Sequence, residues 1–553
     1  MEAKQKKTND VLKQGTILAT ASIIVRMIGL LYRVPLGNIL GDEGNGIYSV
    51  AFQIYQVALI VSSYGLPLAV SKMVAAKNVN GEYRNSHKIF KNALIFAAVI
   101  GGIVGGIIFL WAEQFAHIMR MDKAALPLRV LAPTIFVVAI LGVFRGFFQG
   151  QNSMIPTAVS QVFEQVVNAI VSYVAALVLI RINSSSPDKS AYGAAGSTTG
   201  TLSGACIALL VMIGIYMVNK PLFRRQKRRD RHPVDDNWCI YKTLFLTVIP
   251  VILSQTVYQI SGFLDSMMFG NIMDGHGMEE TVRTSLIGAY SGQYTLLLSV
   301  PLGIATAMGT SIIPSVVSSF TREDYDEVKH KVKTVVKFNM MLAIPCAVGL
   351  SVLGLPIVQL IFPRLKYQAV AGSLLLYGSV ALVFFALSTV TSGVLQAINQ
   401  MRAPVIHSAI SLGIHVVLVY VLLQYTDLGV YALIIGNITF PLVVCILNWY
   451  SVRKSLDYAQ EVKTTFLYPM IASLIMGAAS YGVYQLMHML IQFAVGQKFA
   501  YINNAVSCMV ALGVAVVVYL VTCLLLKTVE EDELMEMPMG RTLWTIAKKF
   551  HMM

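Results

Sequence analysis

The sequence predicts an all-α polytopic membrane protein, one whose chain crosses the bilayer many times. Of its 553 residues, 56% are hydrophobic and only 13% are charged, and the mean hydropathy is +0.67. Soluble domains carry about 25% charged residues, so this chain has too little charge to cover soluble surfaces. The composition excludes soluble, disordered and nucleic-acid-binding classes, and we expect no nucleic-acid partner.

Apolar runs long enough to cross the hydrocarbon core, about 20 residues each, recur along the whole chain. Fourteen runs meet this length, and the short gaps at 41–45, 151–154 and 426–427 are predicted hairpin turns. The predicted spans, numbered 1 to 14, cover residues 14–40, 46–76, 92–119, 127–150, 155–181, 196–219, 241–272, 285–318, 331–362, 371–398, 403–425, 428–452, 464–492 and 502–527.

Lysine and arginine predict the orientation of these spans. Thirty of the 42 basic residues fall on the same side as the N-terminus, nine fall on the other side and three lie within spans. Basic residues concentrate in cytoplasmic loops, so we expect both termini in the cytoplasm. Most of the formal charge of +14 is then explained by topology.

A polar segment from Lys220 to Asp236 divides the first twelve spans into two sets of six. It contains the run Arg224-Arg225-Gln226-Lys227-Arg228-Arg229. We favour a linker that fixes topology, and the alternative is a surface for anionic lipid headgroups. The predicted organisation is an N-lobe at 1–219, a cytoplasmic basic linker at 220–240, a C-lobe at 241–453, spans 13 and 14 at 454–527, and a cytoplasmic tail with an interfacial helix at 528–553.

The two sets of six spans resemble each other. Gly46-Ile-Tyr48-Ser49 in span 2 matches Gly288-Ala-Tyr290-Ser291 in span 8 at an offset of 242 residues. Six is an even number, so both sets insert with the same orientation as parallel repeats, and a substrate path is expected between them.

Three arginines lie inside predicted spans, where a charge usually faces a cavity. Arg26 and Arg33 are two turns apart on one face of span 1, and two cations on one face suit a phosphate-bearing anion. Arg145 and Gln149 lie one turn apart in span 4. In the alternative interpretation, these two arginines do not face a cavity. The Arg33 side chain then extends to the outer membrane–water interface, and Arg145 contacts lipid headgroups.

Two polar stripes run along otherwise apolar spans, where they either line a cavity or join helices by hydrogen bonds. Each stripe contains one carboxylate, which could bind H⁺ or Na⁺ or could neutralise an arginine. Span 5 carries Gln161, Glu164, Gln165 and Asn168, and span 7 carries Ser254, Tyr258, Ser261 and Asp265 with Gln255 and Gln259 alongside.

Motifs for cofactor or enzyme chemistry are missing. There is no Walker A motif and no nucleophile elbow, and the six cysteines show no CxxC pair. We therefore expect a transporter without cofactor or metal, driven by H⁺, Na⁺ or the membrane potential, rather than an enzyme.

Several motifs in the first five spans share their pattern with a known family. They read Arg26-Met-Ile-Gly29-Leu-Leu-Tyr-Arg33, Gly41-Asp-Glu-Gly44, Gly65-Leu-Pro67-Leu-Ala-Val-Ser71-Lys72 and Arg145-Gly-Phe-Phe-Gln149-Gly-Gln-Asn-Ser-Met154-Ile-Pro156-Thr157. Together they resemble the multidrug/oligosaccharidyl-lipid/polysaccharide (MOP) flippase superfamily, and within it the polysaccharide biosynthesis and stage V sporulation protein B group, which includes Gram-positive lipid II flippases.

The resemblance implies two six-helix lobes around a central cavity that opens alternately inward and outward. It also implies a polyprenyl-pyrophosphate saccharide as cargo, with the tail in a groove formed by spans 13 and 14. The resemblance implies that Arg26 and Arg33 of the first motif bind the pyrophosphate of this cargo. An acid follows span 1 in the best-known flippases, and Glu43 is the nearest candidate here.

The leading hypothesis is a flippase of the bacterial cytoplasmic membrane that carries a lipid-linked oligosaccharide, foremost lipid II for peptidoglycan synthesis. Membrane lipids and proteins of cell-wall synthesis are the expected partners. The alternatives are export of a capsule or spore-envelope precursor, drug or cation antiport on the same fold, and a membrane-embedded lipid-modifying enzyme.

Overall fold

The structure is a computed structural model that describes residues 2–311, 313–458, 460–495, 499–526 and 528. Only the backbone is described at 2–20, 22, 23, 250, 251, 254, 258, 308–311, 314, 494 and 495. The predicted interfacial helix of the tail lies outside the described residues. Throughout the described part, the chain is helical and contains no β-strand.

Within the described residues, nineteen α-helices are joined by short turns, one 3₁₀ turn at Asp122–Ala124 and two π-helical segments at Gly288–Tyr294 and Lys463–Leu467. The α-helices among the described residues are α1 (Glu2–Ser62), α2 (Leu66–Val79), α3 (Tyr83–Leu110), α4 (Ala112–Ile118), α5 (Ala125–Gly150), α6 (Ile155–Ile182), α7 (Lys189–Arg229), α8 (Asn237–Gly275), α9 (Glu280–Ile287), α10 (Thr295–Ser311), α11 (Ile313–Thr321), α12 (Tyr325–Val352), α13 (Gly354–Ile361), α14 (Gln368–Gly378), α15 (Ala381–Ala397), α16 (Arg402–Tyr425), α17 (Val430–Leu456), α18 (Tyr468–Val495) and α19 (Ala500–Leu525).

Within the described residues, ten helices are long and apolar enough to cross a membrane, or eleven if α14 and α15, bent by 52°, form one span. The chain is therefore a multi-pass membrane protein, and the predicted number of fourteen is not established. Predicted spans 1 and 2 fall within one continuous stretch, Ile24–Val79. Predicted span 8 corresponds to the end of α9, the π-helical segment Gly288–Tyr294, α10 and most of α11, with residue 312 outside the described residues. Predicted span 7 coincides with α8, where four side chains are not described.

The predicted turn at 41–45 is a break inside α1. Gly41 has φ 72° and ψ 179°, outside the helical region, and two helical segments meet there. Only glycine adopts such a conformation readily. The Asn45 side chain donates hydrogen bonds to the carbonyl oxygens of Gly37 at 2.9 Å and Gly41 at 2.7 Å. These bonds connect Gly37 and Gly41 to the helical segment that follows the break.

The two glycines matched by the sequence repeat lie at one tight crossing of helices. A Cβ added to Gly46 would come within 1.8 Å of the Thr284 carbonyl oxygen, and one added to Gly288 within 2.0 Å of the Asp42 carbonyl oxygen. Any larger residue at either position would force the backbones apart. This requirement explains why a glycine opens the motif in both halves of the sequence.

The chain forms two compact units, one up to Gly288 and one from Ala289. The sequence placed the start of the second lobe at residue 241, but α8 belongs to the first unit. Ile240, Leu244 and Val248 of α8 are buried in a core with residues of α2, α3, α5 and α7. Apolar packing therefore moves the boundary past the basic segment, and the division into two six-span lobes stays a prediction.

The basic run of the predicted linker is helical, because α7 continues through Arg229. Phe223 is 3% exposed and packs against Phe147 and Tyr216 with ring centroids at 5.6 and 5.4 Å. The His87 ring lies 5.2 Å from the Phe223 ring. This aromatic cluster holds the end of α7 against α3 and α5.

Residues 230–236 are tied to the turn between α2 and α3. The Asn85 side chain donates to the Pro233 carbonyl at 2.9 Å and accepts from the Asp235 backbone N–H at 2.9 Å. Lys77 pairs with Asp235 at 2.7 Å and with Glu82 at 2.8 Å. Hydrogen bonds from Lys77 and then Asn85 lower the pKa of Glu82 to about 2, so this carboxylate stays ionised at physiological pH.

In the second unit, polar side chains join helices through hydrogen bonds. The Asn448 amide of α17 donates to Thr391 at 3.1 Å and Ser392 at 2.9 Å on α15. Asn504 of α19 donates to the Pro356 carbonyl of α13 at 3.0 Å and accepts from Tyr484 of α18 at 2.8 Å. Such bonds are effective where water is absent, and they fix α18 and α19 to the rest of the unit.

We predict that Asn85→Ala loosens the 230–236 segment. The substitution leaves the Asp235 N–H and the Pro233 carbonyl without these partners, at an expected cost of about 2 kcal/mol. Limited proteolysis in detergent should show faster cleavage between residues 230 and 236, with a lower melting temperature. Asn80→Ala is the matched control, because Asn80 is exposed and the described hydrogen bond of its side chain is a long one, to Glu82 at 3.4 Å. Equal cleavage of both variants would contradict the anchoring role of Asn85.

Candidate functional site

A polar region lies inside the first unit, where α1 packs against α5 and α6. It contains most of the span residues that the sequence singled out. Its side chains come from the second half of α1, the C-terminal half of α5 and the first four turns of α6. We describe it from its two arginines outwards.

The described neighbours of Arg33 are neutral groups. Its guanidinium interacts with the hydroxyl groups of Tyr32 and Tyr48, and its Cζ lies 5.8 Å from the centroid of the Phe52 ring. Within the described part of the chain, Arg33 forms no salt bridge with a carboxylate. A half-buried arginine with only neutral neighbours leaves a local positive charge that an anion can neutralise.

Arg145 is different, because a carboxylate neutralises it. Its Nη2 donates to Glu164 Oε2 at 2.6 Å and its Nε donates to Ser160 Oγ at 3.1 Å. The side chains of Arg145 and Glu164 are 16% and 30% exposed. Of the roles that the sequence allowed for Glu164, the geometry fits neutralisation of an arginine, and Arg145 points to α6 rather than to headgroups.

The polar stripe of α6 faces α1 and α5. Asn168 donates to the Tyr32 hydroxyl at 3.5 Å and accepts from Ser172 at 2.8 Å. The Gln165 amide nitrogen lies against Gly29, 3.1 Å from where a Cβ would be. The Gln161 side-chain oxygen is buried with no hydrogen-bond donor among the described atoms. Asn168 thus connects the stripe to Tyr32 beside Arg33, and Glu164 connects it to Arg145.

Two other predicted residues lie beside this region. Gln149, one turn beyond Arg145 on α5, donates to Thr157 of α6 at 3.4 Å. Arg26 lies two turns before Arg33 on α1, and its side chain is exposed. Gln149 thus joins α5 to α6 beside Arg145.

The second predicted stripe lies on α8 of the same unit. Gln255 is half-buried and Gln259 is exposed, whereas Asp265 is 4% exposed. The Tyr258 side chain lies outside the described residues. The part of these residues in binding stays a prediction.

The acid expected after span 1 takes part in a separate contact. Glu43 pairs with Lys123 at 2.7 Å and accepts from the Ser190 hydroxyl at 2.7 Å. Lys123 lies in the 3₁₀ turn directly before α5, and Ser190 lies in the first turn of α7. Glu43 therefore connects three segments of the first unit near the Gly41 break.

Sequence reasoning missed the aromatic partners of Arg33. Tyr32, Tyr48 and Phe52 read as ordinary apolar residues of long spans. One signal could have identified Tyr48, because it belongs to the repeated Gly-x-Tyr-Ser motif. Lys337, in the first two turns of predicted span 9, was not among the residues that the sequence singled out, yet it is 2% exposed in α12 and close enough to Glu461 for an electrostatic interaction.

This arrangement can bind an anion and several hydroxyl groups. Arg33 supplies a positive charge with planar N–H donors, which suit phosphate oxygens. The amides of Gln161, Gln165 and Asn168 supply donors and acceptors of the kind that sugar hydroxyls use. Such a site can bind a ligand, and the described residues around it include no base paired with a nucleophile.

Comparison with known proteins agrees with this architecture. The family model described as polysaccharide biosynthesis protein matches residues 11–320, and the MatE model matches residues 250–421. The lipid II flippase MurJ of Bacillus subtilis is 27% identical over 92% of this chain and 94% of its own length. The stage V sporulation protein B of Bacillus subtilis is 25% identical over 95% of this chain and 97% of its own length.

Solved structures show the same fold. The inward closed conformation of the lipid II flippase MurJ has a TM-score of 0.64 at 16% identity, over 92% of this chain and 98% of that one. An inward-facing multidrug resistance MATE family transporter of the MOP superfamily has a TM-score of 0.61 at 18% identity, over 79% of this chain and 98% of that one. The chain belongs to the polysaccharide biosynthesis protein family, within the MOP flippase superfamily.

Proposed function

We propose that this protein is a flippase that moves a polyprenyl-pyrophosphate oligosaccharide, foremost lipid II, across the bacterial cytoplasmic membrane. The observation that carries the proposal is Arg33, a cation within a membrane-spanning helix whose described neighbours are tyrosine hydroxyls and a phenylalanine ring. A charge in that position is costly unless an opposite charge joins it. A pyrophosphate supplies that charge, and the saccharide attached to it meets the amides of α6.

The Arg145–Glu164 pair strengthens this interpretation. Since Glu164 neutralises Arg145, the positive charge of the region is concentrated at Arg33. The pair also fixes α5 to α6 beside the site. Arg26, exposed two turns earlier on α1, is the proposed second cation that the ligand meets on its way to Arg33.

The relatives support the class of cargo. A lipid II flippase and a sporulation protein both cover nearly the whole chain at 27% and 25% identity. Lipid II is the first candidate, and a spore-envelope saccharide on the same lipid carrier is the second. In the proposed transport cycle, the site opens to one side and then to the other while the polyprenyl tail stays in lipid. Both termini would lie in the cytoplasm.

We further propose that Asp265 is the carboxylate through which an ion gradient acts. Asp265 is a carboxylate within predicted span 7, and it is buried on α8 at 4% exposure. A buried intramembrane carboxylate can take up H⁺ or Na⁺. The membrane potential could add to either gradient.

We predict that Arg33→Ala reduces flipping of lipid II at least tenfold, because the pyrophosphate loses its counter-charge. The measurement is exposure of lipid II on the outer surface of a bacterium depleted of its other flippases and carrying this protein. The amount of protein in the membrane should not change. Arg33→Lys should keep part of the activity, since charge remains while the planar donors are lost.

Arg181→Ala is the matched control, because Arg181 is exposed at the end of α6, away from the site. Undiminished flipping by the Arg33→Ala variant would refute anion binding at Arg33. If the unaltered protein fails to restore lipid II exposure but restores export of another polyprenyl-linked saccharide, the lipid II assignment is overturned and the flippase class stands.

We predict that Glu164→Gln destabilises the protein, because it leaves Arg145 charged and without its carboxylate. Breaking a buried pair costs about 3–5 kcal/mol, and the 30% exposure of Glu164 places the expected cost near the lower value. Thermal unfolding in detergent measures it. The double variant R145Q/E164Q should be more stable than E164Q alone, and the opposite order would show that the pair is not neutralising.

We predict that Asp265→Asn uncouples transport from its ion gradient. In proteoliposomes, an imposed H⁺ or Na⁺ gradient should accelerate flipping by the unaltered protein and have no effect on the variant. In the absence of a gradient, slow equilibration of the lipid substrate between the two leaflets should persist with both the unaltered protein and the variant. Acceleration of the variant to the same degree would exclude Asp265 as the coupling group.

A further inference from the structure

The end of α7 carries a one-sided basic surface. Arg224, Arg225, Arg228 and Arg229 are all exposed, whereas Phe223 and Asp230 are 3% and 7% exposed. Residues three and four apart share a helix face, so the aromatic anchor faces the protein and the four arginines face outward. We call these four arginines the α7 basic surface. The 41 residues of α7 extend about 60 Å, roughly twice the thickness of the hydrocarbon core.

Nearby carboxylates do not neutralise the α7 basic surface. Asp230 accepts from the backbone N–H groups of Arg84 at 2.6 Å and His232 at 2.8 Å. Asp235 pairs with Lys77 at 2.7 Å, and Asp236 caps α8 by accepting from the Trp238 N–H at 3.1 Å. Within the described residues, none of the four arginines forms a salt bridge. Four adjacent positive charges with no carboxylate partner among the described residues create a positive potential that attracts anions from outside the protein.

Exposed apolar side chains accompany the charges. Trp238, in the first turn of α8, is 74% exposed, and Leu222 beside the arginines is 52% exposed. Both are held near α3. Phe223 contacts His87 at 5.2 Å, and Asn92, one and a half turns further along α3, bonds to Asn237 next to Trp238 at 3.0 Å. Tryptophan beside arginine is typical of the membrane–water interface.

We propose that the α7 basic surface, with Trp238, binds the headgroups of anionic phospholipids from the adjacent leaflet. Charge complementarity selects the anionic headgroup, and the exposed tryptophan and leucine select a lipid over a soluble polyanion. Each arginine near an anionic leaflet contributes about a fivefold gain in binding. The surface is separate from the α1–α5–α6 site, and the proposal stands whether or not the cargo is lipid II.

The test uses the full chain with Trp238 as its only tryptophan, the other three of the four being replaced by phenylalanine. The protein is reconstituted in phosphatidylcholine with either brominated phosphatidylglycerol or brominated phosphatidylcholine as a minor component. Bromine quenches tryptophan on contact. We expect at least twofold stronger quenching by the phosphatidylglycerol, and a smaller preference at high salt.

The variant R228Q/R229Q should lose most of this preference, and R224Q/R225Q/R228Q/R229Q all of it. The control R181Q/K189Q removes the same charge as the first variant from exposed residues at the other end of α6 and α7, and it should keep the preference. Equal quenching by both lipids would overturn the proposal. So would a preference for phosphatidylglycerol that survives in R224Q/R225Q/R228Q/R229Q, or one that is lost in the control R181Q/K189Q. Loss of the preference with pyrophosphate, but not with sodium chloride of equal ionic strength, would assign the surface to soluble phosphates.

Discussion

Within hydrocarbon, a polar or charged group can be satisfied only by the protein or its ligand, and the first unit is organised by this constraint. Arg145 of α5 donates hydrogen bonds to Glu164 and Ser160 of α6. Asn168 reaches Tyr32, one of the two tyrosines beside Arg33. Each contact satisfies a costly group and also fixes one helix to the next. Arg33 stands apart because its described partners are neutral.

Close backbone packing makes these contacts geometrically available. On α7, a Cβ at Gly200 would come within 2.1 Å of the Ser172 hydroxyl, and one at Gly204 within 2.6 Å of the Glu164 carbonyl oxygen. Small residues let helices approach closely where apolar burial gives no advantage over lipid. With α7 pressed against one side of α6, the polar stripe of α6 is directed to α1 and α5. The glycines thus position the charged site through the backbone of α6.

The positive charge of the chain acts in different ways at different places. Lys77 neutralises Asp235 and Glu82 and so holds a loop. Arg145 is neutralised by an acid from the next helix. Arg33 and the α7 basic surface have no carboxylate partner among the described residues, one inside a span and the other at the end of a helix. Both are positions where an anion from outside the protein would be stabilised, a phosphate in the first case and a layer of headgroups in the second.

The sequence by itself determined the class of fold and much of the polar site. Hydropathy alone places helices along the described chain, and helical spacing puts Gln161, Glu164, Gln165 and Asn168 on one face. These features are local, since they depend on residues within a few turns of one another. Which arginine pairs with Glu164 could not be predicted, because Arg26, Arg33 and Arg145 are all plausible partners by spacing.

Only the tertiary structure decided that choice, since it depends on which helix lies beside α6. The same holds for the aromatic neighbours of Arg33 and for the burial of Lys337. Packing also decided that α8 joins the first unit, although the strongest polar interruption in the sequence lies before it. Composition marks where a chain leaves the membrane, whereas the boundary of a compact unit follows from which apolar surfaces meet.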